Sequence, residues 1–526
     1  MSTISVESQL LKGAKPRDSA LLRILPSFTD IAFLFPIAAL FLLLEGARTI
    51  LGDGDTGWQI RTGDWILQNG RVPQIDLFSF TKPGQSWFAW EWLWDVMFSV
   101  IHRAAGLSGV VLANALILSA ISVLLYRLVR RHAANDARAL VITLAAVSAT
   151  AIHWLARPHL LSWVLLLVAL HLIDRAQEGR TKILWWFPAL VVLWTNLHGS
   201  FPIAILLLLA YGSVNTIQDI AYTGLQETWR AIHCHRTWFL CAGASLAASL
   251  LNPYGWHLHQ HILTYLLDSK QLKDIAEFTP FDFQSPLAIC VEAFLILGGC
   301  AAIACFQQKQ WAQGVILLVW AHLAFKSARN IPIFVFLAAP AVAQLVTSLL
   351  EGMERANVAA WVKNSSSALL SFAKDFDAFE RVERIPFIPI GATLVLAVSL
   401  GVFSARQHRI VDFDTRDFPV AAAQVLADRP KARVFTFDQW GDYLIYRLYP
   451  KMRVFADGRS DFYGADYSRD WVKARNGHFD WRKELARYSI DTVLLRTDDP
   501  LSSILKETRE WRPVFDDGRA IVFKKR

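Results

Sequence analysis

The sequence predicts a polytopic α-helical membrane protein of about eleven spanning helices followed by a small C-terminal α/β unit. Two observations carry the membrane reading. Hydrophobic residues make up 54% of the 526-residue chain, charged residues only 19%, and the mean hydropathy is +0.32. Apolar runs of bilayer length also recur from residue 35 to residue 403. Soluble domains carry about 25% charged residues, so this chain cannot cover a water-facing surface. That excludes an ordinary cytosolic enzyme, a nucleic-acid-binding domain and a disordered chain. A third observation, strands alternating with helices after residue 405, predicts the α/β unit.

A span needs about 20 mostly apolar residues. Windows of that length centre on Phe35–Leu44, Val110–Leu125, Leu140–His153, Leu160–Ile173, Leu184–Thr195 and Ile203–Tyr211. Later windows centre on Trp238–Leu251, Leu287–Cys305, Trp311–Ala324, Ile331–Leu350 and Ile388–Phe403. The first is read as a permanent span: basic residues precede it, but Glu45-Gly46-Ala47-Arg48 follows it without a small-residue cleavage site. Glu91–Arg103 is apolar and tryptophan-rich but too short to span comfortably, and reads as a helix lying in the interface.

Basic residues set the orientation. With the N-terminus inside, the cytoplasmic face collects Lys12, Lys15, Arg17, Arg23, Arg127, Arg130, Arg131, Arg138, Arg175, Arg180 and Lys182. Arg230, Arg236, Lys309, Arg355, Lys363, Lys374, Arg381 and Arg384 join them. That is roughly nineteen against about ten opposite, a positive-inside bias. The net charge of +8 therefore marks cytoplasmic loops rather than an anionic partner. An odd number of spans puts the C-terminus outside, in the periplasm of a Gram-negative cell. The expected division is a membrane domain, 1–404, with outer loops 51–90 and 252–285 and an inner loop 351–387, then an outer α/β domain, 405–526. The five cysteines are scattered, with no zinc spacing and no need of disulfides.

Within the last domain, Arg433–Phe437, Arg453–Ala456 and Thr492–Arg496 read as strands and Trp440–Leu448 as a helix. Further helices are expected around Tyr467–Arg475, Trp481–Tyr488 and Leu501–Thr508, and a closing hairpin turns at Asp516-Asp517-Gly518. No glycine-rich phosphate loop opens any of these helices.

The first outer loop holds the most informative chemistry. Asp53 and Asp55 stand just past the first span, between permissive glycines, with a helix following from Trp58. Two carboxylates there suit a general base and its hydrogen-bonding or metal partner; equally, they suit capping of the next helix. Trp58, Trp65, Trp87, Trp90, Trp92 and Trp94 surround the loop and suit sugar stacking or interfacial anchoring. Polar residues gather at the outer span ends: Arg157 and His159, His198, Asn252, Tyr254 and His257, then Lys326 and Arg329. Ionisable groups at membrane depth are costly, so their gathering suggests a site. Arg157, Lys326 and Arg329 suit a lipid-linked phosphate, although snorkelling to headgroups accounts for any one of them. His257 and His261 at helical spacing, without a paired carboxylate, are a weak zinc signal.

Residues 53–95 (D-x-D-T-G-W, G-D-W-I-L, G-R-V-P-x-x-D-x-F-S-F-T, then E-W-L from Glu91), with R-P-H, N-L-H-G-S-F and N-P-Y-G further on, resemble the GT-C superfamily of membrane glycosyltransferases. The resemblance is to the bacterial branch related to protein mannosyltransferases and lipid A glycosyltransferases. It implies transfer of one sugar, hexose or pentose, from a polyprenyl-phosphate carrier to an acceptor (envelope glycan, lipid or protein) outside the bacterial inner membrane, with inversion. The catalytic carboxylate would fall on Asp55, with Asp53 as the alternative. Some members use a divalent metal; Asp53 and Asp55 alone are too few ligands to require one. The sequence departs from the mannosyltransferases in lacking their Asp-Glu pair. A flippase for lipid-linked glycans, or a non-catalytic envelope-assembly protein, is the alternative; a transporter would show paired repeats and ionisable residues near mid-span, whereas the sequence shows no internal repeat and gathers its polar residues at one face.

Overall fold

The computed structural model describes residues 25–268, 272–273, 275–286, 288–355, 387–403 and 411–526. The basic N-terminal residues Lys12, Lys15, Arg17 and Arg23, and most of the expected inner loop with Lys363, Lys374, Arg381 and Arg384, lie outside the described residues. The helices of the first part are α1 (Phe28–Ala38), α2 (Asp55–Asn69), α3 (Trp92–Arg130), α4 (Asp136–Ala149), α5 (His159–Gln177), α6 (Phe187–Leu197) and α7 (Pro202–Thr223). They continue as α8 (Thr228–Ala248), α9 (Trp256–Leu267), α10 (Ala288–Gln307), α11 (Trp311–Lys326), α12 (Ile331–Arg355) and α13 (Phe387–Ser399). The protein is a multi-pass membrane protein. Six helical stretches among the described residues are long and apolar enough to cross a bilayer, and Phe28–Leu43, Trp311–Lys326 and Phe387–Ser399 are shorter apolar helices.

Local sequence explains the element ends. Ser27 and Asp30 form a reciprocal capping box on α1, and the Asn135 side chain accepts from the Arg138 amide to start α4. Within α3, Gly106 adopts φ 61°, which breaks the helix between the tryptophan-rich segment and the apolar run after it. The expected interfacial helix and second span are thus two helices joined at one glycine. Two expected spans are weaker than anticipated: α6 has only 11 residues, and the first turns of α8 carry Arg230, His233, His235 and Arg236.

From residue 411 the chain forms α14 (Val420–Ala427), β1 (Val434–Phe435), α15 (Asp438–Leu448), α16 (Ala465–Arg475), α17 (Trp481–Arg487) and β2 (Thr492–Arg496). It ends in α18 (Pro500–Glu507), β3 (Trp511–Asp516) and β4 (Ala520–Lys525). The sheet order is β1-β2-β4-β3. β1 runs parallel to β2, and β4 pairs antiparallel with both β2 and β3. One expected strand is corrected: Arg453–Ala456 is not in this sheet. The backbone of Val454 instead bonds to the first loop, donating to the Phe78 carbonyl at 2.9 Å and accepting from Phe80 at 3.0 Å.

That exchange belongs to a tight seam between the first loop and the C-terminal segment. α15 lies along α2 so closely that a Cβ on Gly57 would stand 2.8 Å from the Asp442 carbonyl oxygen. Fully buried Arg459 pairs with Asp457 and with Asp76 of the loop, both at 2.7 Å, and Arg61 donates to the Tyr446 carbonyl.

Candidate functional site

The turn Gly52-Asp53-Gly54-Asp55 leads into α2, and its two carboxylates make different contacts. Asp53 Oδ1 accepts the Asp55 amide at 3.0 Å, an Asx turn just before the helix, whose N-cap is Gly54 and carries no side-chain cap, so the expected capping role is not what Asp53 performs. The other oxygen of Asp53, and Oδ2 of Asp55, face Arg157 at 3.0 and 2.9 Å. Arg157 lies in the non-helical link before α5. That link is pinned to the start of α2: the Ala156 amide donates to the Ile50 carbonyl at 2.8 Å, and the Thr56 hydroxyl donates to the Ala156 carbonyl at 3.1 Å.

Arg157 also pairs with Glu277, on a one-turn helix in the loop after α9. Glu277 in turn faces Arg329, 3.6 Å away. Arg329 donates to His198 Nε2 at 3.1 Å, so that nitrogen is an acceptor and the ring is neutral. Burial first, then Arg329, hold His198 well below its usual range. Glu91 Oε1 lies 3.7 Å from His198, and its second oxygen accepts from Gln59 at 2.9 Å. Trp58 completes the group by donating its indole N–H to Asp55 Oδ1 at 3.1 Å. Residues from six separated parts of the chain thus form one continuous polar chain.

The C-terminal segment closes the site from behind. Gln439 donates to Asp53 at 3.2 Å and accepts from the Gly54 amide at 2.8 Å. A Cβ on Gly458 would stand 2.0 Å from Asp55 Oδ1 and 2.9 Å from Asp442 Oδ2, so the carboxyls of Asp55 and Asp442 approach each other beside that glycine. Asp442 is fully buried, and its Oδ2 has no hydrogen-bond partner among the described residues.

The charges balance only if protons are held. Asp53, Asp55, Glu91 and Glu277 face two guanidiniums, Arg157 and Arg329. Burial, then the neighbouring Asp53 charge, push Asp55 up to about 8 despite Arg157. Burial pushes Glu91 up to about 7. Burial would also raise Glu277, but Arg157 and then Arg329 outweigh it and hold that group below the usual carboxylate range. Asp442 is driven well above its ordinary value by burial and then by Asp55. One guanidinium shared among three carboxylates cannot compensate all of them, and Asp55, with Asp442 behind it, keeps the proton.

Beside this chain lies a small cavity of about 40 Å³. His153, His159, His198, Glu277 and Arg329 line it together with the apolar Trp163, Leu166, Ile203 and Ile333.

Of the residues singled out from sequence, Asp53, Asp55, Trp58, Glu91, Arg157, His159, His198 and Arg329 gather here. Others do not. Tyr254 donates to the Pro73 carbonyl and accepts from the Ala89 amide, both at 2.7 Å, so it props the first loop. Asn252 bonds its own turn through the Ser249 and Gly255 carbonyls. His257 and Lys326 are exposed, and His261 pairs with Asp461 rather than with a metal partner. Sequence reasoning missed Glu277, Gln439, Asp442 and Gly458. No group of three His, Cys, Asp or Glu residues arranged for a metal occurs among the described residues.

No family model matches the sequence, and no curated protein sequence matches it significantly. Solved structures do match. The archaeal oligosaccharyltransferase AglB from Archaeoglobus fulgidus, in complex with an inhibitory peptide and a dolichol-phosphate, aligns with a TM-score of 0.55 at 12% identity, covering 90% of this chain and 69% of that one. Its apo form gives the same values. ArnT from Cupriavidus metallidurans bound to undecaprenyl phosphate gives 0.48 at 14%, covering 94% of this chain and 97% of that one. The chain has the GT-C fold that its first-loop motifs resemble.

Proposed function

We propose that this GT-C chain is a glycosyltransferase taking one sugar from a polyprenyl-phosphate carrier, with Asp55 as the base. The observation that carries the reading is the buried chain Asp55–Arg157–Glu277–Arg329–His198, whose Glu277, Arg329 and His198 line a small cavity of mixed polar and apolar walls. A similar fold binds a dolichol-phosphate in the archaeal oligosaccharyltransferase. In this reading Asp55 takes the acceptor hydroxyl proton as its oxygen attacks the anomeric carbon. Arg329, freed from His198, and Arg157 stabilise the departing phosphate, an interaction strengthened by exclusion of water. One displacement inverts the centre.

The acceptor is an envelope glycan, lipid or protein, and the 405–526 domain faces the same outer compartment as the first loop. Asp53 orients Arg157 and the start of α2. A divalent ion, if used, would have to add to the two carboxylates of the DxD turn, which Arg157 already occupies.

The test is mass spectrometry of envelope glycans and lipids from cells with wild-type protein, with Asp55→Asn, and with none. A hexose or pentose present only with wild-type protein, while the variant inserts and expresses normally, supports the reading. Identical glycans in all three strains would overturn it.

A further inference from the structure

A larger cavity lies at the other end of the same helices, and nothing in the proposed reaction uses it. It measures about 430 Å³, within the range of about 300–1,000 Å³ usual for small-molecule sites. Three helices run between the two places. α5 begins at His159 beside the charged chain and ends at Gln177 on the cavity rim, about 27 Å away at 1.5 Å per residue. α7 follows the same course, and α11 runs the reverse one, from Ala312 at the cavity toward Arg329. The cavity therefore sits roughly a bilayer thickness from Asp55.

Its lining mixes amides, carboxylates and histidines toward the ends of these helices. On α7, Tyr211, Asn215, Gln218 and Asp219 fall at helical spacing on one face, and all of them line it. Gln313 of α11 and Gln344 of α12 face them. Apolar residues, among them Leu128, Leu170, Leu317 and Leu337, complete the walls. Polar residues inside a helical bundle are retained when they serve a ligand, a pathway or a partner.

Part of this polar surface is internally satisfied. His132 bonds Asp174 and Gln344, each at 2.8 Å; His235 bonds Asp219 at 2.9 Å; and Gln218 accepts from the Trp311 amide at 3.1 Å. The rest is not. Gln310 Oε1 is buried without a partner, and the amides of Asn215 and Gln313 have no hydrogen-bond partner among the described residues. Primary amides donate and accept at once, which suits adjacent hydroxyls rather than a phosphate. The charges agree: Asp174 is held by Arg131 as well as by His132, and Asp219 by His235, so neither carboxylate is left to draw a cation. Lys309 lies at the edge in a left-handed conformation (φ 60°), with its ammonium 4.8 Å from the Tyr222 ring centre.

We propose that this cavity binds a neutral carbohydrate ring, with free amides for its hydroxyls and apolar walls for its C–H face. This assignment does not depend on Asp55 being a catalytic base.

The full-length protein, purified in an amine-oxide detergent to avoid sugar headgroups, should be titrated with methyl glycosides of a hexose, an N-acetylhexosamine and a pentose, and with inorganic phosphate. Binding is read by saturation-transfer NMR. At least one glycoside should bind saturably, and Asn215→Leu with Gln313→Leu should weaken it about tenfold, the loss expected for two hydrogen bonds. These two amides support no other group, so the variant keeps its fold; a melting curve matching wild type checks this, and Gln313→Asn alone should retain partial binding. Saturable binding of no glycoside, binding of phosphate instead, or glycoside binding unchanged in a folded double variant would each overturn the proposal.

Discussion

Substituting Gly458 by alanine tests whether the C-terminal segment sets the position of Asp55. The added methyl would stand 2.0 Å from Asp55 Oδ1 and 2.9 Å from Asp442 Oδ2. Carbon–oxygen contacts rarely fall below about 3 Å, so the Asp55 carboxyl must retreat by about 1 Å. Its retreat is resisted, because Oδ1 accepts from Trp58 and Oδ2 faces Arg157. A misplacement of about 1 Å at a reacting group costs roughly 10²-fold in rate, whereas the overpacking costs about 1–3 kcal/mol of stability. The assay is sugar transfer at saturating donor, beside a thermal melt. Two other glycines separate the causes. Gly441→Ala drives a methyl to 1.9 Å from the Ala456 carbonyl oxygen, an equal collision that misses Asp55; it should lower the melting temperature and spare the rate of the molecules still folded. Gly243→Ala enters open space and should change neither. A folded Gly458→Ala protein at full speed would refute the reasoning.

Asp55 predicts opposite pH trends for rate and stability. The base must be ionised, so transfer should rise with pH through about 8 and level above it. With the folded pKa above the ordinary 3.8, the folded state binds the extra proton between 3.8 and about 8, so stability should fall as pH rises through that window. A pH–rate profile and denaturant titrations at several pH values check both; Asp55→Asn should flatten the stability slope. Arg459→Met strands the buried carboxylates of Asp76 and Asp457 and should cost about 3–5 kcal/mol, read by chemical denaturation. Tyr254→Phe removes the donor to Pro73 and the acceptor for Ala89 and should cost about 1–3 kcal/mol, with donor affinity unchanged.

What the sequence revealed follows from how local each signal is. Apolar runs specify their helices through burial alone, so most spans were legible; α8 was blurred because its first turns mix histidine and arginine with the apolar face. Arg157, His198 and Arg329 were legible because charge at a span end is costly and therefore conspicuous. Yet Lys326 carries the same signal three residues before Arg329 and ends exposed. Sequence spacing does not say which way a side chain points once a helix stops at Ser327. Glu277 had no signal at all: it is one carboxylate in a polar loop, given its place by Arg157 and Arg329. Arg453–Ala456 has the composition of a strand, and its pairing is with the first loop because that loop offers the backbone of Phe78 and Phe80.

Asp442 and Gly458 were the hardest to foresee, and they bear most on mechanism. In sequence they lie far from Asp55, within D-Q-W-G-D-Y and A-D-G-R-S-D, where aspartate and glycine read as turn residues. Their pattern has another explanation once the seam is considered. Gly54, Gly57 and Gly458 are each places where a Cβ would collide, at under 3 Å, with atoms of α15 or of Asp55. Glycine here provides close approach rather than turning. That approach buries Asp55, and burial is the first cause of its raised pKa. A fold in which α2 met water instead would leave Asp55 an ordinary carboxylate, ionised but weakly basic. In the proposed reaction the C-terminal segment would thus support Asp55 as the base without contacting a substrate: by excluding water it raises the proton affinity on which abstraction from a hydroxyl depends.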